Sequence, residues 1–380
     1  MVWLSWVKAL KNVIRVFLAW GFILLVSFTA YGISAAHAES QIVVGLDGWQ
    51  VPDKQVRYLP NYNPANPWQS TSQFITAKGS FTYGQAKFSG SAKMDSVNGS
   101  SISRLDVDYN LGAYGFRVGI LPYRVSWCRT FDADSPWITE ADAFCRSPIL
   151  NEISRGAAGV QTYKSWLAGD YLIDGLVGYY QPMIDNQDHS LAAYKAVGRT
   201  VESDKYGVSV NVMQLSTGSQ IRASWLHNWL VQNDDTGSRS AYQRRMDYDT
   251  YYLAGETTVK ERLTVRLSIA AYVGDQTNPA YLYNWLGTST TLEGLFAITP
   301  KDTLAGAVSN YTNDTKYAQT PNKVQTLKVP SYSLSWRHNF DEGYFGIVQA
   351  TYSGDNYKLT NGTLTEKEGV AVGLRLGKVF

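Results

Sequence analysis

Cysteine is almost missing: Cys128 and Cys145 are the only two in 380 residues, and histidine is nearly as scarce, with four. That leaves no His/Cys cluster at metal-ligand spacing. No phosphate-binding glycine loop or nucleophile elbow is present either. Charge of one sign is also lacking. The chain has 34 basic and 32 acidic residues, a net of +2, and no basic run of the kind that follows a nucleic-acid backbone. Neither a cofactor nor a nucleic-acid partner is expected. Downstream of residue 38 no apolar run approaches the ~18–20 residues that a membrane helix needs, and helical periodicity is almost absent.

The one long apolar stretch lies at the start. Lys8, Lys11 and Arg15 precede VFLAWGFILLVSFTA, and Ala36-His37-Ala38 follows. A basic segment, an apolar run and an A-x-A site predict a secretory signal peptide over 1–38, cut before Glu39. Losing those three bases takes the formal charge from +2 to near −1. Export to an oxidising compartment predicts a Cys128–Cys145 disulfide. The bridge encloses the acids Asp132, Asp134, Glu140 and Asp142. Closing a loop of this size removes on the order of 3 kcal/mol of unfolded-chain entropy.

What the chain has in abundance is aromatic residues, 26 Tyr and 12 Trp, and alternation. In RLTVRLSIAAYV, Leu263, Val265, Leu267, Ile269, Ala271 and Val273 share one face, with Thr264, Arg266, Ser268 and Tyr272 on the other. SYSLSWRHNF and GVAVGLRLGKVF repeat the pattern. Sixteen such segments fall near 40–49, 72–83, 85–96, 100–109, 114–126, 157–168, 171–182, 204–215, 219–231, 248–259, 262–273, 285–298, 302–312, 329–340, 343–353 and 369–380. Very short turns alternate with longer polar loops. An even number of antiparallel strands joined in this way predicts an all-β, transmembrane, up-and-down barrel over 39–380 as one domain. The count becomes eighteen if 281–298 or 40–60 holds an extra strand. In lipid every backbone N–H and C=O needs a partner, and a closed barrel supplies one for each. The apolar face must then point outward and the polar face into a water-filled lumen.

Parity places the bases Lys78, Lys87, Lys93, Arg104 and Arg117 at lumen-facing positions on adjacent strands, with Arg222, Arg266, Arg337 and Arg375 elsewhere. Asp106, Asp108, Glu256 and Glu293 are acids of the same parity.

On its signal peptide, its sixteen segments, its terminal Phe380 behind alternating apolar residues and a longest loop in third place (127–156), the chain resembles the Gram-negative general porins. The resemblance covers 39–380 as architecture. It implies a third outer loop folded into the lumen, where Asp132, Asp134, Glu140 and Asp142 face a wall of Lys78, Lys87, Lys93, Arg104 and Arg117. It also implies an outer-membrane location in contact with lipid, Phe380 read by the barrel-assembly machinery, a homotrimer, and passive passage of small hydrophilic solutes and ions. Departures from the family pattern are Lys378 at the third place from the end, a tight Val97-Asn98-Gly99-Ser100 hairpin, and Pro136-Trp137-Ile138-Thr139-Glu140 where the family carries Pro-Glu-Phe-Gly.

Two other functions compete. A substrate-specific channel for sugars or anions would use aromatics of lumen parity, among them Tyr123, Tyr163, Tyr180 and Tyr272. A phospholipase-type enzyme would need histidine beside serine and carboxylate, but His189, His227 and His338 fall toward opposite rims. No catalytic residue is expected, and the chain reads as a channel rather than an enzyme.

Overall fold

The computed structural model describes residues 38–50, 71–95, 99–122, 135–138, 156–181, 200–234, 242–278, 281–317, 324–359 and 364–380. The segment 1–37 lies outside the described residues, as do both cysteines. Strands run in chain order as β1 (Ala38–Gln50), β2 (Thr71–Tyr83), β3 (Ala86–Asp95), β4 (Gly99–Asn110), β5 (Tyr114–Pro122), β6 (Gly156–Ala168), β7 (Tyr171–Gln181), β8 (Thr200–Gln214) and β9 (Gln220–Asp234). They continue as β10 (Tyr242–Val259), β11 (Leu263–Asn278), β12 (Tyr281–Ala297), β13 (Asp302–Tyr317), β14 (Val324–Asn339), β15 (Tyr344–Gly354), β16 (Asn356–Leu359), β17 (Leu364–Thr365) and β18 (Glu368–Val379). The short β16 and β17 extend β15 and β18 beyond breaks of one or two residues, so the sheet has sixteen staves.

Each stave pairs antiparallel with the next, and β1 pairs with β18 from Val43↔Val379 to Gln50↔Val372, which closes the barrel. Ile42 and Phe380 exchange both backbone hydrogen bonds, at 3.3 and 2.8 Å. No sheet edge remains for lipid to meet. Seven short connections lie at the rim where the chain ends meet, and at the other rim only β3–β4 and β11–β12 are joined by as few as three and two residues. One of them, Val259 to Arg262, is a tight turn with positive φ at both Lys260 (50°) and Glu261 (59°), the primed geometry that matches strand twist. Across this rim the turns are tied to one another. Asp170 accepts from the Ser216 amide (3.1 Å) and hydroxyl, and Lys301 Nζ donates to Asp341 (2.7 Å).

The alternation translates directly into two faces. On β11, Leu263, Leu267, Ile269 and Val273 are exposed outside, while Ser268, Ala270 and Tyr272 are buried inside. On β14, Tyr332, Leu334 and Trp336 point out, and Ser331, Ser333, Ser335 and Arg337 point in. Exposed aromatics such as Tyr109, Phe116, Trp166, Tyr171, Tyr344 and Phe380 ring the outside of the short-turn rim. Higher up, Tyr206, Tyr251, Tyr332 and Tyr352 form part of a second belt, with Tyr332 and Tyr352 packed 5.7 Å apart. Aliphatic side chains fill the band between, as a lipid-facing surface requires.

Inside, glycines form slots for rings. A Cβ at Gly115 would collide with the Tyr163 ring, and one at Gly287 with the Tyr272 ring. Both glycines stand directly opposite the tyrosine on the neighbouring strand, so each ring lies flat against the wall.

β5 is described as far as Pro122, and residues 123–126 of the predicted segment lie outside the described residues. Strands β10 to β14 run longer than predicted at the other rim; β10 begins at 242 instead of 248, and β13 runs to 317 instead of 312.

Candidate functional site

The third connection at the far rim joins β5 to β6, and its described part, Ser135–Ile138, lies inside the barrel. Trp137 is 3% exposed and Ile138 7%. Trp137 packs on Ala305 and Ala307 of β13, while Ile138 joins a cluster with Val43, Phe74, Phe345 and Ile347. An irregular segment in this setting needs partners for its backbone groups, and the wall supplies them. The Gln349 side-chain oxygen accepts from the Ile138 amide at 2.8 Å. Arg375 donates to the Ile138 carbonyl at 3.2 Å and Arg337 to the Ser135 carbonyl at 3.0 Å. The Ser335 hydroxyl donates to the Pro136 carbonyl, and the Trp137 indole donates to Glu293 at 2.6 Å.

These anchors are themselves fixed. Arg375 holds Asp47 through two hydrogen bonds, 2.6 and 2.7 Å, and its guanidinium lies over the Phe74 ring. Glu293 also accepts from Arg266 (3.2 Å), which in turn binds Glu256. A buried charge pair of this kind is tolerable because its remaining donors and acceptors are used.

The five sequence-selected bases all belong to one wall. Lys78 on β2 stands opposite Ser91, and Lys93 on β3 opposite Thr76, with its ammonium 5.7 Å from the Phe74 ring centre. Lys87 stands opposite Asp108, nearer the short-turn rim. Arg104 is bonded to Asp106 on its own strand (Nη2 to Oδ2, 3.1 Å). Arg117 binds Asp108 at 2.6 Å and lies over Tyr163, whose hydroxyl donates to the same carboxylate at 2.7 Å. The wall is therefore a mesh of bases and acids. The loop acids Asp132, Asp134, Glu140 and Asp142 lie outside the described residues, as do Cys128 and Cys145.

The anchoring roles of Asp47, Glu293, Ser335 and Gln349 were not read from the sequence. Charged residues at lumen parity in the first and last strands, Asp47 and Arg375, are the signal that points to one such contact, because closure brings those strands together.

The described histidines, His227 and His338, lie on the outer face, and His189 lies outside the described residues. His227 bonds Asp249 (3.1 Å) and packs on Tyr206, while His338 bonds Asp302 (2.7 Å) at the short-turn rim beside Phe340. Among the described residues no group of three His, Cys, Asp or Glu could hold a metal ion. No described helix is long and apolar enough to cross a membrane.

A closed sixteen-strand antiparallel barrel with an apolar outer band and a loop packed inside is the architecture of outer-membrane channels. No family model and no curated protein sequence matches the chain. Solved structures do match in fold. OmpT of Vibrio cholerae, in a trimer form, superposes with a TM-score of 0.58 at 9% identity, covering 90% of this chain and 99% of that one. The outer-membrane channel DcaP of Acinetobacter baumannii gives 0.56 at 11% identity, covering 90% and 97%. An anion-selective porin from Comamonas acidovorans gives 0.52 at 12% identity, covering 90% and 99%.

Proposed function

We propose that the protein is an outer-membrane porin, a water-filled channel through which small hydrophilic solutes and ions diffuse passively. The observation that carries this reading is the loop segment Ser135–Ile138, bonded to the inner wall of a barrel whose outer face is apolar. A loop inside the lumen narrows it and defines an aperture. The loop acids Asp132, Asp134, Glu140 and Asp142 and the wall bases Lys78, Lys87, Lys93, Arg104 and Arg117 form the lining of that constriction. A Cys128–Cys145 bridge keeps the loop compact. Phe380, exposed on the closing strand, serves as the terminal signal for the assembly machinery. The test is planar-bilayer recording with solutes of graded size. Stepwise openings that shrink as solutes grow support the reading, and silence from folded protein overturns it. Neutralising Arg104 and Arg117 shifts the reversal potential toward cations if they line the aperture.

The lumen tyrosines favour open diffusion over a stacking path for sugars. Tyr272 shares a hydrogen bond with Tyr311 (2.5 Å), and Tyr180 accepts from Gln161 (2.9 Å). Hydroxyls and ring faces are engaged by the wall. A hydrolase is disfavoured by His227 and His338, which lie outside the lumen and toward opposite rims; turnover of phospholipid micelles would reverse that judgement.

Self-assembly also has support on the outer surface. Next to Tyr251 the register row continues as Ala271, Thr288 and Thr312, and Thr290 and Asn310 are exposed opposite each other, two residues nearer the short-turn rim, with Thr290 opposite Ile269. Polar side chains at that depth gain hydrogen-bond partners from a second copy of the chain and none from lipid tails. We assign this face to contact between copies. Asn310→Leu then weakens the oligomer on non-denaturing gels, and an unchanged oligomer places the contact elsewhere.

A further inference from the structure

Above the apolar band, the outer face of β10 to β16 is divided by charge, and the division follows the register. Asp247, Asp275, Asn284 and Lys316 stand opposite one another in one row across β10 to β13. Asp249, Val273, Leu286, Asp314, Thr326 and Lys358 form the next row toward the short-turn rim. Tyr251, Ala271, Thr288, Thr312 and Lys328 form the row after it. Carboxylates therefore gather on β10 and β11 and ammonium groups on β13 to β16. The polar face of Thr288, Thr290, Asn310 and Thr312 lies between them.

On the acidic flank, Asp275 is exposed and stands directly opposite Asp247, a like-charge cross-strand pair that is unfavourable by itself. Asp249 accepts from the Trp225 indole at 2.9 Å and bonds His227 at 3.1 Å, and His227 also faces Asp247 at 3.6 Å. Glu202, Asp204 and Arg245 have the same outward parity on β8 and β10; their side chains lie outside the described ones, and their charges leave the flank acidic. On the basic flank, Lys316, Lys328 and Lys358 are exposed, and none of them forms an ion pair with a described residue. Asp314 is the one acid among them, so three lysines stand against one carboxylate. The connections above do not reverse either sign. Residues 235–241 hold Asp235 and Arg239, and residues 318–323 hold Lys323. Farther round, Glu368 on β18 accepts from the Tyr352 hydroxyl, and Glu366 and Lys367 before it are one of each sign.

The two flanks point away from the barrel in different directions, so one copy cannot join its own. A second copy standing beside it in the same membrane can, because its basic flank then meets the acidic flank of the first. Contact between two different surfaces is head to tail, and repeated about an axis it closes into a ring. The polar face between the flanks turns toward that axis. Complementary charge of this kind fixes partner and register more than it adds affinity.

We propose that copies of the chain assemble head to tail, with Asp247 and Asp275 of one copy against Lys316, Lys328 and Lys358 of the next. The pairing rests on the contact face proposed above and gives it a direction, β10 and β11 of one barrel beside β13 to β16 of its neighbour.

The test uses full-length protein folded in detergent micelles, with copies of two isotopic compositions mixed before assembly. A zero-length carbodiimide joins an amine to a carboxylate only where the two touch. The expected products are peptides that link Lys316, Lys328 or Lys358 of one isotope to Asp247 or Asp275 of the other. Reversal of the acidic flank by Asp247→Lys with Asp275→Lys sets like charges together and lowers the oligomeric fraction roughly tenfold or more. Lys316→Glu, Lys328→Glu and Lys358→Glu together do the same to the basic flank, and both reversals in one chain restore the oligomer. An oligomer that forms without such links, or that withstands either reversal in folded protein, overturns the head-to-tail pairing and leaves self-assembly intact. A monomeric unmodified protein overturns self-assembly, and the pairing with it. The links in the unmodified protein decide the matter even if a reversed variant fails to fold.

Discussion

Asp47 on the first strand and Arg375 on the last stand directly opposite each other in register, and the guanidinium that clasps the carboxylate also reaches the Ile138 carbonyl of the inserted loop. One side chain thus joins barrel closure to loop position. Arg375→Met strands a buried carboxylate, which costs on the order of 3–5 kcal/mol. The barrel should then unfold at lower temperature in detergent, and its channel current should become noisier. The Asp47→Leu, Arg375→Met pair should recover much of the stability but not the quiet channel, because Ile138 still lacks its donor. Recovery of both would mean that Arg375 does not position the loop.

The glycine slots predict an effect on aperture. Gly287→Val pushes the Tyr272 ring off the wall toward the lumen. The strain of overpacking is about 1–3 kcal/mol, and single-channel conductance should fall. Adding Tyr272→Ala should restore it. If conductance is unchanged in a folded Gly287→Val protein, the ring does not border the water path.

Reduction of the Cys128–Cys145 bridge should leave the barrel folded and loosen only the loop. The expected record is broader current levels after dithiothreitol, with the gel mobility of the folded barrel unaltered. A free thiol count of two in unreduced protein would contradict the bridge.

Asp170 at the short-turn rim has its carboxyl held below the ordinary range, first by the Ser216 hydroxyl and then by further hydrogen bonds from Gln214 and the Ser216 amide, against a smaller opposing cost of desolvation. A depressed folded-state value means that the carboxylate stabilises the fold above its unfolded pKa. That contribution is lost as pH falls through the folded value. Asp170→Asn should therefore lower stability at neutral pH, and the gap from the unmodified protein should close as the solution is acidified below the usual carboxylate range. A gap that persists at low pH would assign the loss to packing.

The faces of the staves were legible because lipid imposes them: Leu263 to Val273 alternate for as long as the band is apolar, and so do Val370 to Leu376. The outer ends of β10 to β14 were not legible. Above the band both faces meet water, so residues such as Asp275, Asn284 and Asp314 carry no alternation to read. The loop's insertion followed from resemblance, and its anchors did not. Gln349 and Glu293 look like any polar lining residue until a distant segment is brought against them. Register across the closure, which pairs Asp47 with Arg375, depends on all sixteen staves together and has no local signal.

The claim beneath all of this is that the two faces of each stave meet different solvents. Nitroxide labels placed in turn at Val208, Ser209, Val210 and Asn211 on β8, in protein reconstituted into bilayers, measure it directly. The account predicts oxygen-dominated relaxation at 208 and 210, and relaxation by a water-soluble nickel chelate at 209 and 211. Equal access of the chelate to all four positions would contradict it.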